Sequence, residues 1–447
     1  MKYKLTTVTL AAMLACGVAD AQSNKEMAVQ IKQLQEQLQA MRAELDGMKK
    51  QQATAVVQPS RSIETSSGQS VDAVARSSAN VSAGASQEGV SYTSQESPIS
   101  FFGYGELNFT RPKNDPASSV ATARRGVFGW GYRFNERTRF VGELEVENAV
   151  VSQSDSGEVA LEQFYIEHDI NEKVSTKLGL FLMPFGYMNE SHEPTSYYGV
   201  QRNFIETAII PSTWREMGVG FRGNSDNGWR WDAGAVTSFD MSKWPKDNGN
   251  PDTLESPLGA IHQEGQNAKA GSAGYYGALN YNAIPGVNLG GAIFYGGIGQ
   301  RQATASANAS VTLSELHARW QSGAWDVQTV AAVGQFHDVA AINAGATASN
   351  PLPDQFRGWY AQAAYRLWRQ GDYSLVPFTR YERFNTAIGF SGVPQGAVID
   401  NAQPDVRVWT MGANFYLHPQ VVLKADFQKF LNDSRKDRYD LGVGFHY

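Results

Sequence analysis

From Pro98 onward the chain is a succession of segments of about ten residues in which large apolar residues alternate with small or polar ones. A β-strand has a period of two, so each segment has one apolar and one polar face. The closing segment ends on an aromatic residue and places on one face Tyr439, Leu441, Val443, Phe445 and Tyr447. The pattern predicts an all-β fold, a 16-stranded antiparallel transmembrane β-barrel over 98–447 with lipid outside and a polar lumen inside.

The connections between the segments alternate between short turns and long loops. The predicted strands are 99–109, 125–134, 138–150, 158–168, 174–184, 214–223, 228–238, 273–282, 287–297, 312–321, 325–336, 357–368, 373–383, 406–417, 421–431 and 438–447. Short connections such as Asn135-Glu136 and Gln370-Gly371 carry residues that favour turns. Short turns on one rim and long loops on the other are typical of membrane barrels rather than soluble sandwiches.

The N-terminus has the features of an export signal. Lysines precede an apolar stretch over 5–18, and a small-x-small triplet ends at Ala21, so we predict a signal peptide over 1–21. The sequence 13–16 also resembles a lipoprotein cleavage site, as a weaker alternative. The single cysteine, Cys16, falls inside the leader, so the mature chain is expected to form no disulfide. A net charge of -6 argues against binding to nucleic acid.

A heptad pattern precedes the barrel. Apolar residues recur at spacings of four and three, which predicts a short coiled coil over 22–50 in the periplasm. They are Met27, Ile31, Leu34, Leu38, Met41, Leu45 and Met48. Glu44 at g and Lys49 at the following e suit a parallel bundle, hence a homo-oligomer, although an amphipathic helix docked on the barrel is the alternative. The Ser-, Ala- and Gln-rich stretch 51–97 is predicted to be a flexible linker.

Alternation also predicts which side chains face the lumen. Phe128, Trp130 and Tyr132 are expected outside, and Trp368 and Tyr416 are aromatic exceptions expected inside. The charged residues assigned to the lumen are Glu106, Arg133, Arg139, Glu143, Glu145, Glu147, Lys177, Arg222, Asp232, Glu315, Arg319, Arg366, Arg380, Glu382, Lys424 and Asp426. Because acidic and basic residues are equally numerous in this set, it does not predict whether the pore prefers cations or anions. The fourth strand alternates equally well in either register, so its faces cannot be assigned.

The long connection 185–213 is too apolar for a free surface loop. Its runs 204–205 and 208–211 need burial, and a 16-stranded barrel has room to receive a segment folded inward. We therefore predict a constriction. The candidate residues from the loop are Glu190, Glu193, Arg202 and Glu206, and those from the wall are Arg133, Arg139, Glu143, Glu145 and Arg380. His192 beside two glutamates makes a metal site an alternative, although such groups are more often hydrogen-bonded.

The loop and its flanks carry a family resemblance. The stretch 179–186, followed by Glu190, Glu193-Pro194, Arg202 and 211–216, resembles the phosphate-selective group of Gram-negative outer-membrane porins. The resemblance implies a trimeric barrel with an N-terminal coiled coil, and arginine ladders and lysine clusters that select oxyanions. This chain departs from that pattern by having as many inward acids as bases.

The resulting expectation is an outer-membrane porin, a passive diffusion channel for small hydrophilic solutes or ions, with anions such as phosphate among the candidates. The expected partners are outer-membrane lipid and further copies of the chain, and no cofactor is required. An envelope tether or adhesin built on a barrel is the alternative. A barrel enzyme needs a nucleophile, a base and an orienting acid, and no such triad is recognisable around His317.

Overall fold

The computed structural model describes residues 97–447 except 153–156, 245–255, 303–307, 346–349 and 395–404. The predicted signal peptide, coiled coil and nearly all of the linker lie outside the described residues. Within the described residues, no helix has the length and apolar character needed to cross a membrane.

Seventeen strands form one closed antiparallel sheet, because β1 pairs with both β2 and β17. They are β1 (Ile99–Pro112), β2 (Val120–Arg133), β3 (Thr138–Glu147), β4 (Glu158–Asp169), β5 (Val174–Leu182), β6 (Arg215–Asn224), β7 (Trp229–Thr237), β8 (Ala273–Tyr281), β9 (Val287–Gly297), β10 (Ser310–Ser322), β11 (Trp325–His337), β12 (Gln355–Tyr365), β13 (Trp368–Gln370), β14 (Tyr373–Ile388), β15 (Val406–His418), β16 (Val421–Phe430) and β17 (Arg438–His446). The loops carry the short helix α1 (Ala340–Gly345), a one-turn π-helix (Ile205–Ile209) and four 3-10 turns, Pro116–Ser118, Met241–Lys243, Gly259–Ile261 and Ser434–Lys436.

β12 and β13 are two parts of one barrel strand, since both pair with β14. The barrel therefore has sixteen strands, as predicted. The register shifts by one residue between the pairs Ala364–Phe378 and Trp368–Leu375. This shift turns Trp368 to the outer face, where it is 43% exposed, so the prediction that it faces the lumen was wrong.

Short turns and long loops lie at opposite rims, as the sequence predicted. At the short-turn rim, Gly323 and Gly371 each have a φ of +60°, a conformation that favours glycine. The other rim, here called the long-loop rim, carries the eight long connections. The one between β5 and β6, residues 183–214, is called the third loop below.

The outer surface is apolar and the inner surface is polar along most strands. In β17, Tyr439 is 49% exposed whereas its neighbour Asp440 is 1% exposed. The faces of β4 are set by a β-bulge: Gln163 pairs with Glu143 and Leu161 pairs with Leu144, so Glu162 is the extra residue. Both Glu162 and Gln163 consequently face the lumen, which explains why alternation alone could not assign this strand.

An apolar core fills part of the barrel on the side of the long-loop rim. Inward aromatic residues from several strands meet there, with Trp214 and Phe294 at a ring-centroid distance of 5.0 Å. Ile205 and Ile209 of the third loop pack into the same core, as does Ile261 from the connection between β7 and β8. The wholly polar lumen expected from the alternation is thus replaced at this level by a packed hydrophobic interior.

Candidate channel constriction

The third loop folds into the lumen and contacts the wall on many sides. Its hydrogen bonds join Thr195 to His446 of β17, Tyr197 to Glu106 of β1, Tyr198 to Asp326 of β11, Gly199 to Asn414 of β15 and Val200 to Asp426 of β16. The wall groups in these contacts lie on β11 and on the adjacent strands β15, β16, β17 and β1, across the barrel from β5 and β6, where the loop begins and ends. The loop therefore bridges the lumen.

The two ends of the third loop are tied together by Asn189. Its amide nitrogen donates to the carbonyls of Met183 at 2.7 Å and Trp214 at 2.8 Å, and its oxygen accepts from the Trp214 N–H at 2.6 Å. These three contacts close the loop at its base. Because Asn189 is buried, replacing it with an apolar residue would leave the Trp214 N–H without a partner, whereas the two carbonyls would keep the backbone N–H groups of Phe185 and Met183.

The Glu206 carboxylate holds the two halves of the loop and one wall strand together. It accepts from the backbone N–H groups of Tyr187 at 2.5 Å and Met188 at 2.7 Å, and from Asn203 at 2.7 Å. The hydroxyl of Tyr360 on β12 also donates to it, at 3.1 Å. Burial raises the pKa of Glu206, and these donors offset part of that rise.

Glu190 is held by three cations of the wall. Arg222 Nη2 lies 2.6 Å from its carboxylate, Arg230 lies 3.6 Å away and Lys177 lies 3.9 Å away. Arg222 also donates to Asp232. Burial alone would raise the pKa of Glu190, but Arg222, Lys177 and Arg230 outweigh it and lower the pKa to about 2. The remaining cavity at this cluster is about 10 Å³, room for roughly one water.

His192 faces an acidic part of the wall. Its Nε2 lies 3.6 Å from Glu162, close to where Glu143 accepts from Gln163 at 2.6 Å and Glu145 accepts from Arg125 at 3.2 Å. Burial lowers the pKa of His192, but the negative charge of Glu162 outweighs that effect and raises the pKa. His192 and Glu190 therefore bind different partners. Within the described residues, His, Asp and Glu form no cluster arranged to hold a metal ion.

The predicted wall arginines divide into two groups. Arg380 Nη1 donates to the carbonyl of Tyr198 at 3.2 Å, so it contacts the third loop as expected. Arg139 pairs with Glu167 and Asp169 near the short-turn rim, and Arg133 is exposed at the end of β2. These two residues lie at the mouth of the barrel rather than opposite the loop.

The remaining predicted loop residues occupy different environments. Arg202 is buried and donates to the hydroxyls of Ser212 and Thr213, each at 2.8 Å. Its guanidinium therefore organises the end of the loop. Glu193 is half-buried, and its carbonyl accepts from the Ser196 hydroxyl.

Several residues that hold the loop were not predicted. Tyr187 donates to Asn288 at 2.8 Å and packs against His317, with ring centroids 4.6 Å apart. His317 in turn contacts Glu315 and Asn280 through its two ring nitrogens. The sequence signal for the tyrosines is their density in the loop, since a buried tyrosine hydroxyl needs a polar partner.

Comparisons with known proteins agree with this architecture. An uncharacterized protein of Aquifex aeolicus strain VF5 is 30% identical over 353 residues, which cover 76% of this chain and 77% of that protein. The chain belongs to the same family as this protein. No family model matches the chain.

Two solved structures share the fold. They are OmpF of Salmonella typhi in complex with daunomycin, with a TM-score of 0.51 and 11% identity, and the outer membrane channel DcaP of Acinetobacter baumannii, with a TM-score of 0.50 and 9% identity. Each comparison covers 78% of this chain and 97% of the other. At these identities the likeness establishes the fold, a closed barrel of the outer-membrane porin type.

The Glu190 cluster leads to a prediction about pH. Because the pKa of Glu190 is lowered to about 2, its contribution to stability is present above the unfolded pKa of roughly 4.3 and is lost as the pH falls towards 2. Amide hydrogen exchange of the segment 186–192, expressed relative to the intrinsic rate at each pH, should therefore accelerate over this pH range. Glu190→Gln should remove that component of the acceleration. Identical pH profiles for the two proteins would contradict the assigned role.

Proposed function

We propose that the chain forms an outer-membrane channel for small hydrophilic solutes or ions, in which the third loop restricts passage. The observation that carries the proposal is a charged loop held inside a closed barrel whose outer face is apolar. An apolar exterior suits lipid, and charged groups inside suit water and hydrophilic solutes. The short-turn rim then faces the periplasm and the long-loop rim faces outward.

The charges around the loop have both signs. Glu190 meets wall cations on one side, whereas His192 meets wall carboxylates on another. Opposed acidic and basic groups in a narrow passage create a transverse field that orients polar solutes. The proposed site residues are Glu190, Glu193, Arg202, Glu206, Glu143, Glu145 and Arg380, with Arg133 and Arg139 at the periplasmic mouth. Selectivity for anions such as phosphate belongs to the same proposal.

We expect the passage to open when the third loop moves away from the wall, because its contacts with the wall hold it across the lumen. A disulfide between loop and wall tests this directly. A Cβ at position 442 would lie 3.0 Å from Cγ1 of Val200, within the range that a cysteine pair can bridge. Oxidised Val200→Cys/Gly442→Cys protein should conduct at least about tenfold less than the wild type, and dithiothreitol should restore conductance. Each single cysteine variant under the same oxidant is the control. Wild-type conductance of the oxidised double variant, with the disulfide verified by mass spectrometry, would show that the loop is a fixed element.

The signal peptide, coiled coil and trimeric state are part of the same proposal. Deleting 22–97 should reduce the trimer population while leaving conductance per barrel intact. Chemical crosslinking and bilayer recordings of the two proteins make this comparison. Loss of envelope attachment with intact trimers and conductance would instead favour the alternative, an envelope tether or adhesin.

A further inference from the structure

Five cationic side chains face outward near the long-loop rim on one continuous part of the wall. They are Arg357 on β12, Arg383 on β14, Arg407 on β15, Lys429 on β16 and Arg111 on β1, and all five are exposed. This set is called the rim arc. The channel proposed above uses the lumen, so it gives these outer side chains no role.

The strand pairing keeps neighbouring members of the rim arc within two residues of one another. Arg383 and Arg407 are direct cross-strand partners, and Lys429 lies opposite Trp409 on the adjacent pair. Elsewhere on the barrel, outward positions near the same rim include large apolar residues such as Val159 and Tyr275. An outward cation costs about 2 to 4 kcal/mol at the membrane centre and little at the interface, which places the rim arc at headgroup height.

Aromatic side chains lie beside the rim arc on the same outer face. Trp359 and Tyr381 have ring centroids 5.6 Å apart, and Tyr381 and Trp409 have theirs 6.0 Å apart. Tryptophan and tyrosine in such a row mark the boundary between the hydrocarbon and the headgroups. The cations therefore sit where lipid phosphates would lie.

The positive charge of the rim arc is only partly neutralised. Asp405 lies 2.8 Å from Arg383 and 3.3 Å from Arg407, and these two arginine side chains are 51% and 45% exposed. In the described parts of the chain, no ion pair involves Arg111, Arg357 or Lys429. Among these ion pairs, one carboxylate therefore neutralises part of the charge of five cationic side chains.

We propose that the rim arc binds the phosphate groups of lipid headgroups in the outer leaflet. Guanidinium groups bind phosphate oxygens through paired hydrogen bonds, and several exposed cations near one rim match a layer of anionic headgroups. The inference rests on the proposed placement of the barrel in an outer membrane. It does not depend on whether the lumen conducts.

The test uses the full chain in phosphatidylcholine nanodiscs, titrated with phosphorylated or dephosphorylated lipid A and read by native mass spectrometry. Phosphorylated lipid A should bind the wild type more tightly than the dephosphorylated form. Arg383→Gln/Arg407→Gln/Lys429→Gln should bind it about a hundredfold more weakly, since each cation near an anionic lipid surface contributes a factor of roughly five. Asp405→Asn should tighten binding about fivefold.

A matched control removes three exposed cations from the opposite rim, Arg137→Gln/Lys173→Gln/Arg369→Gln, and should leave lipid binding unchanged.

Equal binding of the two lipids by the wild type, a result that needs no variant, would overturn the proposal. Competition by inorganic phosphate would overturn it in favour of a free-phosphate site. Conductance of the triple rim-arc variant should match the wild type. A wild-type protein that binds the lipid but does not conduct would refute the channel and leave this inference standing.

Discussion

Replacing Arg380 by leucine is expected to lower the free energy of unfolding by about 3 to 5 kcal/mol, because it leaves the Glu382 carboxylate buried without its partner. Arg380 is 2% exposed, and its Nε donates to Glu382 at 2.8 Å. Glu382 also accepts from the Phe204 N–H at 2.7 Å, and Arg380 donates to the Tyr198 carbonyl. The pair thus holds the third loop at two points. Urea unfolding followed by tryptophan fluorescence measures the decrease in the free energy of unfolding. Faster amide hydrogen exchange over 198–204 would show that the destabilised region is the third loop.

Arg383→Leu is the matched control for this prediction. Arg383 lies three residues further along the same strand on the outer face, and its side chain and that of its partner Asp405 are 51% and 34% exposed. Its removal should leave both the unfolding transition and the exchange of the third loop unchanged. If the Arg380 and Arg383 variants behaved alike, the ion pair with Glu382 would not be what fixes the loop.

Replacing Glu206 by alanine is expected to have an effect of similar size. The change removes the acceptor for four donors in a buried site, from Tyr187, Met188, Asn203 and Tyr360. Each unsatisfied buried donor costs about 1 to 3 kcal/mol, so a loss of at least about 3 kcal/mol is expected. Hydrogen exchange at Tyr187 and Met188 should increase most, since their backbone N–H groups lose a direct partner.

Two further variants control this experiment. Glu206→Gln keeps one acceptor oxygen but turns an NH₂ group towards other donors, so its effect should be intermediate. Glu193→Ala removes a half-buried carboxylate from the same loop and should leave the exchange of Tyr187 and Met188 unchanged. If the Glu193 and Glu206 changes had equal effects, the loop would be destabilised by any loss of a carboxylate, and the hydrogen bonds to Glu206 would have no specific role.

Most of the barrel could be predicted because strand periodicity and turn chemistry are local properties. The short turns gave the order of the strands, and the alternation gave the faces of β2, β3 and β17. The lumen-facing side of a strand was left unassigned or was predicted wrongly where the strand pairing shifts by one residue. These places are Glu162 in β4 and the step between β12 and β13. A one-residue shift exchanges the two faces, and the residue types around these positions do not distinguish the two registers.

The contacts of the third loop could not be predicted, because they join residues far apart in the chain. Tyr198 meets Asp326 and Val200 meets Asp426, and nothing in the local sequence of either strand indicates this pairing. The positions of Arg133 and Arg139 could have been predicted from the sequence. Both residues lie beside the predicted turn at 135–136, so their height near the short-turn rim follows from their distance to that turn.

The most direct test of the channel is single-channel conductance of the purified full chain in a planar bilayer, recorded for the wild type and for Arg380→Leu. A channel restricted by the third loop should show stepwise openings, with larger or more frequent steps in the variant because the third loop is released. A reversal potential under a salt gradient, with phosphate as competitor, gives the ion preference. If neither protein conducts although both are folded and heat-modifiable barrels, the channel proposal is contradicted.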